Sequence, residues 1–597
     1  MSIARSLQSP SDTWDLTQMY PSLEGWEKDF EQACNEDYAA LSEPYISALS
    51  LTDEQLSDLL TLYFRIDRRL KRLYTWAHLY HDQETANDEG KRALQRITAR
   101  CHDFSEEFSW MEPKILSHSA EQLAAFVASR RLAPFATLLE RLLRLKPHTL
   151  PAEQEAILAM SDRATEAASK AFSAINDADF RFADVTDSDG KSHPLTHASY
   201  GVLLRDKDRV LRQHAFESLY STYQSYGNTF SELLGGEAQR HLFQARTRGY
   251  TSCLEAALFP NAIPLSVYRS LIDTVHSHIE ALHAYVRTKK EALHLDELAP
   301  WDLHAPLTTE ADTAYRFDEA VQLILDAMEP LGPSYVERLR EGLTKDRWVD
   351  RFENTSKRSG AYSGGCYDSP PYILMNYKGQ LRDVFTLAHE AGHSMHTDLS
   401  RRQPYQYSEY AIFVAEVAST FNEELLFNEL LRRNKNPRFR AAILNEKLED
   451  LRTTLFRQTM FAEFELFVHE RVERGEPLTP ALLGEKFREL NAFYYGSSLS
   501  LPPLSDVEWS RIPHFYYNFY VYQYATGISA ASALVANVVD GGERDRYLSF
   551  LQRGGSAFPI DLLRDAGVDM TTASPVESAI RRFSSLLEEF RAAAISP

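Results

Sequence analysis

The sequence predicts a mainly α fold, on three observations. Apolar residues recur at helical spacing between about residues 50 and 180, and glycine is almost absent before Gly190. In the second half, one short segment, YILMNY (372–377), is the best strand candidate. With 44% hydrophobic and 12% aromatic residues in 597, the chain can bury a substantial core, as several domains or as one large fold with lobes.

Taken in order, Thr52 and Gln55 form a capping box ahead of Leu56, Leu59, Leu60, Tyr63 and Leu70, which share one helix face. The stretch DFRFADVTDSDGKSHPL (179–195) alternates around a Ser-Asp-Gly-Lys turn and predicts a hairpin. Its D-x-D-G is not a calcium loop. With Gly190 at loop position six, positions one and twelve fall on Val185 and Thr196, neither of them a carboxylate. Helical patterning resumes over 206–293, breaks at the proline-rich 297–312, and returns in a further block. The segment KRSGAYSGGCYDSPPYILMNYKG (357–379) is irregular and glycine-rich, and it carries the strand candidate. Helices then run to the C-terminus, interrupted at 497–509 and 554–559, with no fixed-period repeat.

Charge and cysteine content restrict the function. Lys+Arg 64 against Asp+Glu 85 leaves a net charge of -21, which argues against nucleic-acid binding and suits a solvated surface. Cys34, Cys101, Cys253 and Cys366 are scattered without a CxxC pair, so neither a disulfide framework nor a cysteine zinc site is expected. The N-terminus lacks the apolar core of a secretion signal, and the apolar ISAASALVANVV (528–539) is too short to cross a bilayer. A cytoplasmic protein that binds neither membrane nor nucleic acid is expected; its oligomeric state is open.

The chemistry lies in TLAHEAGHSMH (386–396). On a helix, His389 and His393 project from one face about a turn apart, a spacing at which two imidazoles share one zinc. Glu390 sits beside that face, where a carboxylate can take a proton from an attacking water and pass it to a leaving amine. Asp383 is the expected cap of this helix. The competing reading is a polar helix face that happens to carry imidazoles. Ala388, Ala391 and Gly392 weaken it, because such small residues suit a helix packed closely among others, where unpaired polar groups are costly. His396 lies two turns from His389, about 10 Å along the axis, too far to share one ion, and is expected to be structural. The remaining candidates for a third ligand are the carboxylates of SEYAIFVAEVASTFNEELLFNEL, which offers Glu409, Glu416, Glu423 and Glu424. Glu416 is the one enclosed by an apolar run and is preferred. Glu423, two turns along the same face, can orient a ligand histidine, and Glu409 and Glu424 are expected to face solvent.

A second cluster, PHFYYNFYVYQYATG, holds His514 with Tyr517, Tyr520 and Tyr524, which on a helix can share one face. Imidazole and phenol donors suit an oxyanion; an aromatic core stripe is the alternative. Gly360, Gly364 and Gly365 permit close backbone approach to a peptide, with the YILMNY strand as its expected pairing partner.

With these residues assembled, the chain resembles oligoendopeptidase F, within the thimet oligopeptidase-like zinc peptidases. The resemblance rests on KRSGAYSGGCYDSPPYILMNYKGQLRDVFTLAHEAGHSMH, FVAEVASTFNEELL, RIPHFYYNFYVYQYATG and GGSAFPIDLLRDAGVDM, spanning 357–570. It implies one zinc ion per chain on His389, His393 and Glu416, Glu390 as general base, and His514 and Tyr520 facing the substrate. Tyr517, Tyr524, Glu423, Gly364 and Gly365 are the supporting residues of the channel and metal site. The implied fold is a large helical two-lobed shell around a deep channel that admits short peptides, with a small β element near the zinc site. A helical region over 1–200, with a family-specific domain at about 115–185, precedes a catalytic region over 201–597. Cys366 is the one unexpected residue in these motifs. The expected activity is endopeptidase cleavage of oligopeptides; the alternatives are a peptide-binding protein with a structural zinc and a related zinc carboxypeptidase.

Overall fold

The computed structural model describes residues 3–307 and 314–594. It is mainly α, with five short strands among the described residues. The chain divides into two compact units: Met1–Ala152 with Thr313–Glu429 and Leu534–Val568, and Glu153–Asp312 with Leu430–Ala533 and Asp569–Pro597.

In the first unit, helix Asp53–Asp82 begins at the expected capping box. Thr52 Oγ1 accepts from the Gln55 amide at 3.2 Å, and Gln55 Oε1 accepts from the Thr52 amide at 3.0 Å. Leu56, Leu59, Leu60, Leu70 and Leu73 on its apolar face are buried. Trp26 packs there, stacked on Phe30 and Trp76, with its indole N–H donating to the Leu73 carbonyl at 2.9 Å. A large apolar side chain buried in this way contributes on the order of 2–3 kcal/mol.

The five strands are β1 (Val185–Thr186), β2 (Ser192–His193), β3 (Val349–Asp350), β4 (Tyr362–Gly364) and β5 (Tyr372–Leu374). β1 and β2 form the expected hairpin, in the second unit, with Gly190 at φ 81° in its turn. Asp187 closes that turn, accepting from the amides of Asp189 and Lys191. The other three make a sheet in the first unit, ordered β3-β5-β4. β5 pairs parallel to β3 and antiparallel to β4. The strand expected to receive a peptide is therefore the central one, with both edges taken, and β3 and β4 are the edge strands.

The second unit is built from long helices, among them Arg209–Ser225, Gly227–Thr247, Leu265–Ser277, Arg457–Glu473 and Pro480–Tyr495. Tyr268, Tyr285, Phe230, Phe464 and Phe487 fill its interior. Among the described residues no helix is long and apolar enough to cross a membrane.

Candidate metal centre

Helix Leu381–Ser400 carries His389, Glu390 and His393, and helix Ile412–Arg433 carries Glu416 and Glu423. Asp383 is not the N-cap as expected. Gln380 holds that place, and Asp383, in the first turn, reaches back to accept from the amides of Gln380 at 3.0 Å and Lys378 at 2.8 Å.

The two helices approach at Gly392. A Cβ there would stand 2.5 Å from the Ala418 carbonyl oxygen and 2.7 Å from Ser419 Cα, so only glycine permits this crossing. Asn422 locks it, its side-chain amide donating to the Ala388 carbonyl at 3.2 Å. Sequence inspection did not single out Ser419 or Asn422; small and amide residues facing a glycine-bearing helix were the available signal.

The crossing brings three donors together. His389 Nε2 and His393 Nε2 are 3.2 Å apart, and Glu416 Oε2 lies 3.4 Å from the first and 3.5 Å from the second. Donors held about 2.0–2.1 Å from one ion at tetrahedral angles stand about 3.3 Å from one another, so this triangle fits a metal of zinc's size. Among the described residues it is the one group of His, Cys, Asp or Glu donors converging closely enough to hold an ion. Glu416 is not enclosed as its neighbours suggested. Phe413, Val414, Val417 and Ala418 are buried, but the Glu416 side chain keeps 39% of its exposure because it points into the open side of the triangle.

The surrounding groups orient the donors. Glu423 Oε1 bonds His389 Nδ1, leaving Nε2 toward the triangle. Ser419 Oγ lies 3.0 Å from Glu416 Oε2. Burial disfavours charge on both His389 and Glu416, yet the facing groups outweigh it. Glu423 helps push His389 up to about 9, and His393 helps hold Glu416 down to about 2. Glu390 is buried and its carboxyl is raised, first by burial, with the His389 and His393 charges opposing. The Ser363 backbone in β4 pulls that carboxyl the other way, and Ser363 Oγ lies 2.8 Å from Ser394 Oγ, so this edge strand is fastened to the motif helix. Gly365, at φ 139°, passes so close to Arg401 that a Cβ would meet Nη2 at 2.7 Å; Gly364 ends β4.

His396 stays out of the triangle. It is buried, stacked on Tyr410 with ring centroids 3.6 Å apart, and burial holds its imidazole down to about 3. Glu409 is exposed and pairs with Lys71 at 2.7 Å. Glu424, expected to face solvent, is buried, because its helix is enclosed there as well, with Phe421, Leu425 and Phe427 buried around it.

The His514 cluster forms within the second unit, but not on one helix face. Pro513–Tyr516 is a 3₁₀ turn, Asn518 and Phe519 follow with φ of 46° and 57°, and the next helix starts at Tyr522. This irregular turn still gathers the rings. His514 is stacked with Tyr520 at 5.9 Å, lies 5.6 Å from Tyr517, and has Tyr524 Oη 3.3 Å from its Nε2. Two consecutive non-glycine residues with positive φ store strain. They are held by Glu465, which is buried and accepts from the Phe519 amide at 2.6 Å. Glu465 was missed from sequence, although FAEFELFV shows the same signal that singled out Glu416, an acid inside an apolar run.

A predominantly helical protein with an H-E-x-x-H helix and a carboxylate converging from a second helix defines a metallopeptidase. Residues 202–582 match the family described as Peptidase family M3, and residues 114–182 match Oligopeptidase F. Oligopeptidase PepF of Bacillus subtilis (strain 168) is 41% identical over 589 residues, covering 98% of this chain and 88% of the relative. A crystal structure of a Chlamydophila abortus chain superimposes with a TM-score of 0.92 at 41% identity, covering 99% of this chain and 100% of that one. Oligoendopeptidase-F from Enterococcus faecium gives 0.75 at 34% identity, covering 96% and 99%. The chain belongs to peptidase family M3 and is a metalloendopeptidase of the oligopeptidase F type. Membership implies a divalent metal and peptide substrates.

Proposed function

We propose that the chain hydrolyses internal bonds of short peptides with one zinc ion held by His389, His393 and Glu416. The near-equilateral donor triangle, at 3.2, 3.4 and 3.5 Å, carries this reading. Zinc bound there supplies a Lewis acid for the scissile carbonyl and lowers the pKa of the attacking water. Glu390, its carboxyl raised by burial, takes the proton from that water and passes it to the leaving amine. Glu423 keeps Nδ1 of His389 engaged, so that Nε2 remains the ligand. The edge strand β4 pairs with the peptide backbone, with Gly364 and Gly365 allowing its approach. His514 and Tyr520, with Tyr517 and Tyr524 around them, donate to the oxyanion of the tetrahedral intermediate. By function, as distinct from the two compact units, an N-terminal region over 1–200 precedes a catalytic region over 201–597, and the protein works in the cytoplasm, which its four unpaired cysteines support.

The test is cleavage of a mixed peptide library followed by mass spectrometry. Internal cuts that stop on chelation and return with zinc are expected. Stepwise loss of C-terminal residues would indicate a carboxypeptidase, and zinc-dependent binding without cleavage would indicate a peptide-binding protein.

A further inference from the structure

A cavity of about 250 Å³ lies inside the second unit, remote in sequence from the metal helices and unused by the reaction described above. Tyr200, Tyr220 and Tyr495 contribute aromatic wall, and the exposed Arg205 stands among its lining residues. The charged groups that line it are three arginines, Arg205, Arg457 and Arg511, against one carboxylate, Glu508. In a chain of net charge -21, this is a local inversion of sign.

Glu508 is already engaged. Its Oε1 accepts from the Arg457 guanidinium and, at 3.1 Å, from the Tyr220 hydroxyl. Glu508 also favours the charge of Arg511 from a distance, but among the described residues no ion pair or hydrogen bond reaches the Arg511 guanidinium, and Nε is buried without a partner. Arg511 rests on aromatic faces, its guanidinium carbon 5.3 Å from the Tyr200 ring centroid and 6.0 Å from that of Tyr220. The residue is half-buried, and cation–π contact offsets only part of the cost of burying its Nε side.

Other buried acids of this unit are engaged elsewhere. Asp302 is shared by Arg209 and Arg212, and Glu449 by Lys289 and Arg452. The phenols of Tyr200 and Tyr220 are pushed up by burial and stay protonated, so neither supplies a negative charge. Ser505, whose hydroxyl is buried and also unpartnered, lines the same cavity. The space is several times that of a water molecule.

We infer that this cavity binds a small inorganic anion, a halide or a tetrahedral oxyanion, with Arg511 as its principal partner and Arg457 and Ser505 beside it. Such an ion completes the charge balance that the protein's own carboxylates leave unfinished. Guanidinium groups suit both classes of anion, through charge for a halide and through paired N–H donors for an oxyanion.

The experiment uses the full-length zinc-loaded enzyme at ionic strength held constant with sodium gluconate. Bromide and inorganic phosphate are titrated separately while the melting temperature is followed. The expected result is a saturable rise of about 2 °C or more with at least one of them, lost in Arg511→Met and partly kept in Arg511→Lys. Which anion acts separates a halide site from an oxyanion site. No saturable rise in the wild type, or an undiminished rise in Arg511→Met, overturns the proposal. If Arg511→Met does not fold, wild-type crystals decide it, soaked in bromide, or in selenate where phosphate gave the shift. An anomalous peak within hydrogen-bond reach of Arg511 supports the site, and water alone in the cavity refutes it. Thermal shift and anomalous scattering read binding whether or not the catalytic roles proposed above are correct.

Discussion

Gly392 on the motif helix lies so close to Ala418 on the neighbouring helix that an added Cβ would be 2.5 Å from the Ala418 carbonyl oxygen. The atoms it would meet are backbone, which cannot turn aside, and Glu416 stands two residues before Ala418. In an unpacked helix Gly→Ala stabilises by about 1 kcal/mol. Here Gly392→Ala should destabilise by about 1–3 kcal/mol, because the helices must part, and metal affinity should fall as Glu416 moves away. Calorimetry and metal content measure both effects, and a rise in melting temperature would contradict the packing.

Glu390→Gln keeps the shape of the side chain but cannot accept the proton. Turnover should fall by about 10²–10⁴-fold while the bound metal stays stoichiometric. Cleavage of a quenched peptide and elemental analysis of the same sample check the two halves. Unchanged turnover would assign the proton to another group.

Glu416 and Glu423 should separate by magnitude. Glu416→Ala removes one of three donors and should abolish stoichiometric metal binding. Glu423→Gln leaves the donors in place but weakens the hold on His389 Nδ1, so affinity should drop about 10–100-fold. Competition with a chromophoric chelator gives both constants. Full occupancy in Glu416→Ala would point to a different ligand.

Glu465 predicts a pH dependence of stability. Burial pushes its carboxyl up to about 8 against the pull of the Phe519 amide, from 4.5 in the free side chain. His469 beside it, held down by burial to about 3, is neutral, and the Tyr268 and Tyr522 phenols are raised and protonated. Between the unfolded and folded values the folded state binds the extra proton. Glu465 therefore makes stability fall as pH rises through that window and level off above it. Glu465→Gln, which keeps an oxygen for the Phe519 amide, should gain melting temperature relative to wild type between about pH 5 and pH 9. A constant difference across that range would rule the titration out.

How far the site was legible differs from residue to residue. His389, Glu390 and His393 were readable because a four-residue step on a helix is local geometry, and the small residues around them announced a close crossing. His396 was excluded by the same helical rise, and the structure puts it against Tyr410. The Tyr517, Tyr520 and Tyr524 grouping was anticipated for the wrong reason. The rings meet through a strained turn held by Glu465, 54 residues earlier in sequence, and not along a helix.

The sequence by itself determined the mainly α class, the capped helices, the hairpin and the metal-binding helix face, all consequences of contacts a few residues apart. Tertiary structure alone decided that Glu416 opens toward the two imidazoles while Glu424 is buried, that Glu423 meets His389 Nδ1, and that β4 is an edge strand while β5 is central. Each of these depends on how closely separate helices or strands approach. That distance is set by packing at residues such as Gly392, and local periodicity carries no record of it.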